Sequence, residues 1–101
     1  MKYTLTGKNL EVSEALALHV RAGVERIAAQ RGDFEKIDTV LRVQKGDHIV
    51  EMDVYSHPYH IYAKSSSNDM YASIDTTLAR LERQLEKLHK RDDVAGVHWV
   101  G

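Results

Sequence analysis

The sequence predicts an α+β fold, a two-layer β-α-β-β-β-α sandwich in which a four-stranded sheet carries two helices on one face. Four segments place apolar residues at every second position, as strands do. Two longer segments repeat apolar residues at intervals of three and four, as amphipathic helices do. Short turns join the last three strands, which indicates an antiparallel meander whose apolar face the helices would cover.

The first strand and the first helix lie at the N-terminus. Residues 2–6, KYTLT, alternate and end at Gly7. Ser13 suits the N-cap of the helix, because its hydroxyl can accept a hydrogen bond from an amide of the first turn. Gly32 gives a C-terminal stop. Gly23 lies inside this helix, where glycine costs about 1 kcal/mol relative to alanine, and the sequence offers no reason for it. The predicted apolar stripe consists of Leu16, Val20, Val24 and Ile27.

The middle of the chain contains the other three strands. Residues 36–45, KIDTVLRVQK, and 48–56, HIVEMDVYS, alternate on either side of the turn KGDH. The turn SHPYH, which holds the only proline, leads to the fourth strand, HIYAKS. The segment SSSND then reads as a polar loop, with Asn68 or Asp69 as the cap of the second helix.

Composition narrows the classes of protein. A chain of 101 residues with 43% hydrophobic residues suits one globular domain. The absence of cysteine excludes disulfides and thiolate metal sites. The N-terminus lacks the apolar run of a signal peptide, and no apolar stretch approaches the roughly 18 residues of a membrane span. We therefore expect a cytoplasmic protein without a membrane partner.

The polar side of the second helix concentrates positive charge. Residues 76–91 hold five basic and two acidic side chains, a net charge of +3, whereas the rest of the chain holds nine basic and thirteen acidic ones, a net charge of −4. At about 100° per residue, the apolar side chains Ile74, Leu78, Leu81, Leu85 and Leu88 share one arc of the helix. The roughly opposite arc carries the basic stripe, which we define as Arg80, Arg83, Lys87, Lys90 and Arg91.

Two interpretations of the basic stripe remain open from the residues alone. It is either an ordinary solvated helix face or a row of donors, about one helical turn apart, that suits a nucleic-acid backbone. The α-β-β-β-α portion also has the element order of double-stranded-RNA-binding folds, although topology by itself is weak evidence of function.

Three segments resemble a known family. DMYASID at 69–75, followed by LERQLEKLHK at 81–90, is similar to the signature of the ribosome hibernation promoting factors, a family that includes the ribosome-associated inhibitor and the sigma-54 modulation proteins. Residues 4–20, TLTGKNLEVSEALALHV, resemble the family's first strand and the start of its first helix. The resemblance covers about 1–91 and implies a ribosome-binding domain there, followed by a short flexible tail at 92–101. The family's β-α-β-β-β-α fold agrees with the independent reading.

The resemblance implies a ribosome hibernation factor that binds 16S ribosomal RNA in the decoding cleft of the small (30S) subunit. It would block messenger and transfer RNA and so inhibit translation in stationary phase, without catalysing a reaction, without a cofactor and without a small-molecule substrate. The basic stripe would contact phosphates, joined by Arg26 and Lys8. Gly23 stands where relatives often carry a basic residue, and Ala17 also lacks a charge. The length matches the short members, which assist ribosome dimerisation with a separate ribosome modulation factor.

Other signals are weaker. His57 and His60 form an H-x-x-H pair across Pro58, but a hairpin there would point them apart, so no metal site is expected. Glu51 and Asp53 share a strand face and could form an acid–base pair, yet a solvent-facing sheet side explains them as well. The alternative function is a regulatory protein-interaction domain whose basic helix binds an acidic protein partner. The serines Ser65–Ser67 lack a readable His and Asp for nucleophilic catalysis.

Overall fold

The fold is described from a computed structural model, which covers the backbone of residues 1–32 and 34–100 and the side chains of residues 1–30 and 34–88. The elements follow the predicted β-α-β-β-β-α order, which confirms the fold class. They are β1 (Lys2–Lys8), α1 (Glu14–Arg31), β2 (Lys36–Gln44), β3 (Asp47–Ser56), β4 (Tyr59–Ser67) and α2 (Met70–Val100). The helical backbone of α2 passes residue 91; the division of the chain there and the flexibility of the tail stay predictions.

The four strands form one mixed sheet in the order β1-β2-β3-β4. β1 and β2 are parallel and are joined through α1, whereas β2, β3 and β4 form the predicted antiparallel meander. The β2–β3 hairpin turns at Lys45 and Gly46, whose φ angles are 52° and 84°. Two consecutive residues with positive φ are typical of the tight hairpin turns that match strand twist, which is why glycine is useful here.

Both helices begin at the kind of residue that the sequence predicts. The Ser13 hydroxyl accepts a hydrogen bond from the amide of Leu16 at 3.1 Å. Of the two candidates for the start of α2, Asp69 supplies the cap, because its Oδ1 accepts from the amide of Tyr71 at 3.2 Å. α1 ends at Gly32, whose φ is 101° and whose amide donates to the carbonyl of Ala28 at 3.0 Å. These contacts satisfy backbone groups that a helix leaves without partners.

The hydrophobic core lies between the sheet and the two helices. Alternate residues of β2, β3 and β4 face it, and α2 packs over β3 and β4 with α1 beside it. The predicted helix stripes are buried as expected, with Leu16 and Leu88 at the partly buried margin. The side chains with the least exposure, at most 2%, include Val20, Val24, Ile27, Ile37, Leu41, Val50, Met52, Val54, Ile74 and Leu81.

Gly23, which the sequence leaves unexplained, lies where α1 approaches α2. A Cβ atom at this position would overlap Cδ1 of Leu78, and two further atoms of the same side chain would lie within 3.4 Å. Leu78 is only 3% exposed and lines, together with Gly23, the groove between the two helices, so its side chain would have to turn from its packed position to relieve the overlap. The glycine therefore permits a close approach of the two helices, and the lower helix propensity is the cost of that packing.

Replacing Gly23 by alanine is expected to destabilise the protein by about 1–2 kcal/mol, because overpacking against Leu78 outweighs the gain in helix propensity. Urea unfolding of a double-mutant cycle with Leu78→Ala measures the effect. In the Leu78→Ala background the overlap is absent, so Gly23→Ala should become neutral or stabilising by up to about 1 kcal/mol. Equal effects in both backgrounds would contradict this explanation.

A cluster of buried hydroxyl groups fixes the start of α2 on the sheet. Ser65 Oγ donates to the carbonyl of Ser73 at 2.6 Å and lies 2.7 Å from Oγ1 of Thr77. Ser73 Oγ lies 2.6 Å from Oγ of Ser67 and donates to the carbonyl of His48 at 2.7 Å. The interpretation of the serine run as a loop was therefore wrong, because β4 continues to Ser67, and Ser65 and Ser67 form hydrogen bonds with side chains and backbone of α2.

Candidate nucleic-acid interface

The two faces of α2 differ as the helical periodicity predicts. Leu81 and Leu85 are 2% and 5% exposed and point into the core, whereas Arg83 and Lys87 lie on the exposed side one turn apart. Because the guanidinium and ammonium groups are not needed by the core, they are available to a partner. α2 therefore presents the middle of the basic stripe on a rigid element that the sheet supports.

Arg80 lies at the margin of the basic stripe, next to the edge of the sheet. Its Nη1 donates to the backbone carbonyl of Lys64, and one turn later the Gln84 Nε2 donates to the carbonyl of Tyr62 at 2.8 Å. Both acceptors belong to β4, which has no neighbouring strand on this side. Arg80 thus has a structural role at the sheet edge, while its other N–H groups remain for a ligand, since a guanidinium carries five donors.

The remaining predicted site residues are distributed unevenly. Arg26 is exposed on α1 and lines a groove of about 260 Å³ between α1 and α2. Lys8 is exposed at the end of β1, at the opposite edge of the sheet from β4, so the structure does not bring it beside the basic stripe. The side chains of Lys90 and Arg91 lie outside the described residues. The assignment of all seven residues to an RNA site remains a prediction.

The groove between the helices contains a histidine–aspartate pair that the sequence analysis did not predict. His19 Nε2 lies 2.7 Å from Oδ1 of Asp75, and the His19 ring meets the Tyr71 ring edge-on with centroids 5.1 Å apart. His19 and Asp75 are 56 positions apart in sequence, and each alone looks like an ordinary surface residue. Only the packing angle of the helices brings them together. Asp75 also adds a negative charge near Arg26, which reduces the positive potential of this groove.

The candidate acid–base residues on the outer face of the sheet are engaged in polar pairs. Glu51 accepts a hydrogen bond from Arg42 at 2.6 Å, and Asp53 lies 2.7 Å from the ring of His60.

In the neighbouring strand pair, the hydroxyl of Thr4 donates to Asp38 at 2.5 Å. This hydrogen bond is the main cause that lowers the pKa of the Asp38 carboxyl, with a further contribution from Lys36. Paired carboxylates of this kind are typical of a solvated sheet face. Within residues 1–30 and 34–88, no three side chains of the metal-binding types converge on one point.

Neither α1 nor the described part of α2 is long and apolar enough to cross a membrane.

Comparison with known proteins gives the family. Residues 3–93 match the family described as sigma 54 modulation protein / S30EA ribosomal protein. The ribosome hibernation promoting factor of Escherichia coli (strain K12) is 33% identical over 90 residues, which cover 89% of this chain and 94% of that protein. The factor of Pseudomonas putida is 28% identical over 90 residues, covering 89% of this chain and 87% of that one.

Solved structures of similar proteins have the same fold. A ribosomal subunit interface protein from Coxiella burnetii superposes with a TM-score of 0.84 at 29% identity, covering 89% of this chain and 99% of that one. The N-terminal domain of Protein Y from Thermus thermophilus gives a TM-score of 0.79 at 27% identity, covering 87% and 99%. With a family match across most of its length, the chain belongs to the sigma 54 modulation protein / S30EA ribosomal protein family, the family of the ribosome hibernation promoting factors.

Proposed function

We propose that this protein is a hibernation factor that binds 16S ribosomal RNA in the decoding cleft of the small ribosomal subunit. The observation that carries the proposal is the exposure of Arg80, Arg83 and Lys87, the described part of the basic stripe on α2, in a chain whose relatives are named ribosome hibernation promoting factors. Binding there blocks messenger and transfer RNA and stops initiation, so the protein acts in the cytoplasm by occupancy and catalyses no reaction.

The physical basis of the proposal is electrostatic. Basic side chains spaced three or four residues apart along a helix follow the backbone of a nucleic acid, and the release of its counterions supplies much of the affinity. The protein as a whole carries a charge of −1, so the attraction comes from the local arrangement and favours one orientation. Arg83 and Lys87 form the centre of the contact, with Arg80 beside the sheet edge and Arg26 across the groove.

A partner role follows from the same proposal. The protein assists the formation of ribosome dimers together with a separate ribosome modulation factor. In RNA binding, α1 contributes less than in relatives because Gly23 and Ala17 carry no charge. The second candidate function is a regulatory domain whose basic helix binds an acidic protein; the concentration of cations on one helix favours either partner. Binding to purified 30S subunits distinguishes them, because an acidic-protein binder has no reason to pellet with ribosomal RNA.

Occupation of the decoding cleft is tested by competition. In a purified translation system the protein is expected to inhibit initiation when added first, and to lose most of its effect when messenger and initiator transfer RNA are already bound at saturation. The physical reason is exclusion, since two ligands cannot fill the same cleft. The measurements are formation of the first peptide bond and co-sedimentation of the protein with 30S subunits. Undiminished inhibition of pre-loaded ribosomes would place the protein elsewhere.

A further inference from the structure

A groove lies between the beginning of β4 and residues 84–88 of α2. Its composition is not explained by the basic stripe. It has a volume of about 240 Å³ and is lined by Tyr59, His60, Ile61, Gln84, Lys87 and Leu88. We refer to it as the β4–α2 groove. Lys87 belongs to the basic stripe, so the β4–α2 groove opens directly beside the proposed phosphate contacts.

The walls of the β4–α2 groove are built by the packing of α2 on the sheet. Ile61 is 5% exposed and Leu88 is half-buried, which makes the floor apolar. Tyr59 is 39% exposed and offers an aromatic surface at the start of β4. Gln84 is held in place by its hydrogen bond to the carbonyl of Tyr62, which leaves its second N–H and its side-chain carbonyl for another partner. The groove is therefore supported on both sides by fixed elements.

His60 belongs mainly to the other face of the sheet. Its ring stacks on that of Tyr55 with centroids 4.4 Å apart, and its Nε2 lies 2.7 Å from Oδ1 of Asp53. Tyr59, which is 39% exposed, therefore supplies the aromatic part of the lining of the β4–α2 groove. Among the described residues that line the groove, none is acidic, and Lys87 is the cation.

We propose that the β4–α2 groove receives one unpaired nucleobase of the bound RNA, with Tyr59 as the stacking surface and Lys87 on the adjacent phosphate. This inference rests on the proposed function. A planar base matches an aromatic wall and an apolar floor. The free polar groups of Gln84 match the hydrogen-bonding edge of a base, and a volume below the roughly 300–1,000 Å³ of drug-sized pockets suits a single ring system.

The position of the groove distinguishes this contact from shape recognition of an RNA duplex. The basic stripe can follow a backbone without regard to base pairing, whereas a base can enter the β4–α2 groove only if it is unstacked and turned away from its strand. The groove therefore selects RNA that has an unpaired nucleotide one phosphate contact away from Lys87.

The first test uses the intact protein and mononucleotides. Methyl NMR signals of Ile61 and Leu88 are followed during titration with adenosine and uridine 5′-monophosphates, and separately with ribose 5-phosphate. Both nucleotides are expected to shift these signals at millimolar concentration, and ribose 5-phosphate is expected to leave them unchanged. Equal shifts with ribose 5-phosphate would mean that only the phosphate binds, which overturns the proposal. No shift with either nucleotide overturns it as well.

The second test compares three tyrosine variants in binding to 30S subunits. Tyr59→Leu keeps an apolar side chain but removes the stacking surface, and is expected to weaken binding about fivefold or more, the lower end of what one base–aromatic stack contributes. Tyr59→Phe should bind like the original protein. Tyr62→Leu is the matched control, because Tyr62 is 45% exposed on the same strand but faces the other side of the sheet.

The outcomes separate this inference from the function on which it rests. If Tyr59→Leu binds 30S subunits as well as the original protein, the base-binding groove is wrong and ribosome binding still stands. If the original protein does not bind 30S subunits, the proposed function fails first. If Tyr59→Leu loses binding but nucleotides cause no NMR shifts, the groove contacts a ribosomal protein instead of a base. If Tyr62→Leu loses binding to the same extent as Tyr59→Leu, the loss reflects a general defect. Both outcomes overturn the proposal.

Discussion

Reversal of both Arg83 and Lys87 to glutamate is expected to reduce binding to 30S subunits at least tenfold while the protein stays folded. If the proposed function holds, each reversal removes a phosphate contact and adds repulsion, and a tenfold loss requires only about 1.4 kcal/mol. Exposed charges contribute within about 0.5 kcal/mol to folding, so the melting temperature should hardly change. Pelleting with 30S subunits and thermal melts measure the two quantities.

The matched control applies the same change of charge to the other side of the molecule. Lys36 and Lys64 lie on the outer face of the sheet and are 42% and 49% exposed. Reversing both to glutamate should leave binding within about threefold of the original, as long-range effects are screened at physiological salt.

The salt dependence of binding provides an independent measure of the number of phosphate contacts. Five phosphate contacts predict a slope of log affinity against log salt of roughly −3.5 to −4.5, and loss of two contacts should reduce its magnitude by about 1.4–1.8. A double reversal that binds normally would mean that the basic stripe is only a solvated face.

Truncation of Leu85 to alanine is expected to lower the free energy of unfolding by about 2–5 kcal/mol, because the side chain is 5% exposed and its removal leaves a cavity. Leu18→Ala is the matched control: Leu18 is 60% exposed on α1, and the same chemical change there should cost within about 0.5 kcal/mol. Urea unfolding at 25 °C compares the two.

Binding of the Leu85 variant tests whether the two faces of α2 are independent. At a temperature where the variant is folded, it should bind 30S subunits like the original protein, since Arg83 and Lys87 remain on the opposite face. A loss of binding that exceeds the loss of folded protein would show that the basic stripe depends on tight packing below it.

Much of this architecture is predictable from local patterns. The apolar positions of α2 repeat with the helical period, so the sequence alone separates a core face from a basic face, and up to Leu88 both lie where they were expected. The caps at Ser13 and Asp69 follow from hydroxyl and carboxylate chemistry within one turn of the chain. In each case the partners are a few residues apart, which is the range over which sequence patterns are informative.

The features that escaped prediction depend on contacts between distant segments. Gly23 is explained by Leu78, and His19 by Asp75, because α1 and α2 cross at these points. The β4–α2 groove likewise brings together residues at the start of β4 and residues of α2 that are more than twenty positions further along the chain. No local rule gives the distance or angle between two elements, so such sites become visible only in three dimensions.

The contacts of Arg80 and Gln84 with β4 also bear on how the protein avoids self-association. An outer strand presents unpaired carbonyls to which the strand of another chain can add, and this is a route to aggregation. On β4, the carbonyls of Lys64 and Tyr62 are already occupied by side chains from α2. A strand approaching this edge would have to displace both side chains. The packing of α2 on β4 therefore opposes aggregation in addition to stabilising the fold.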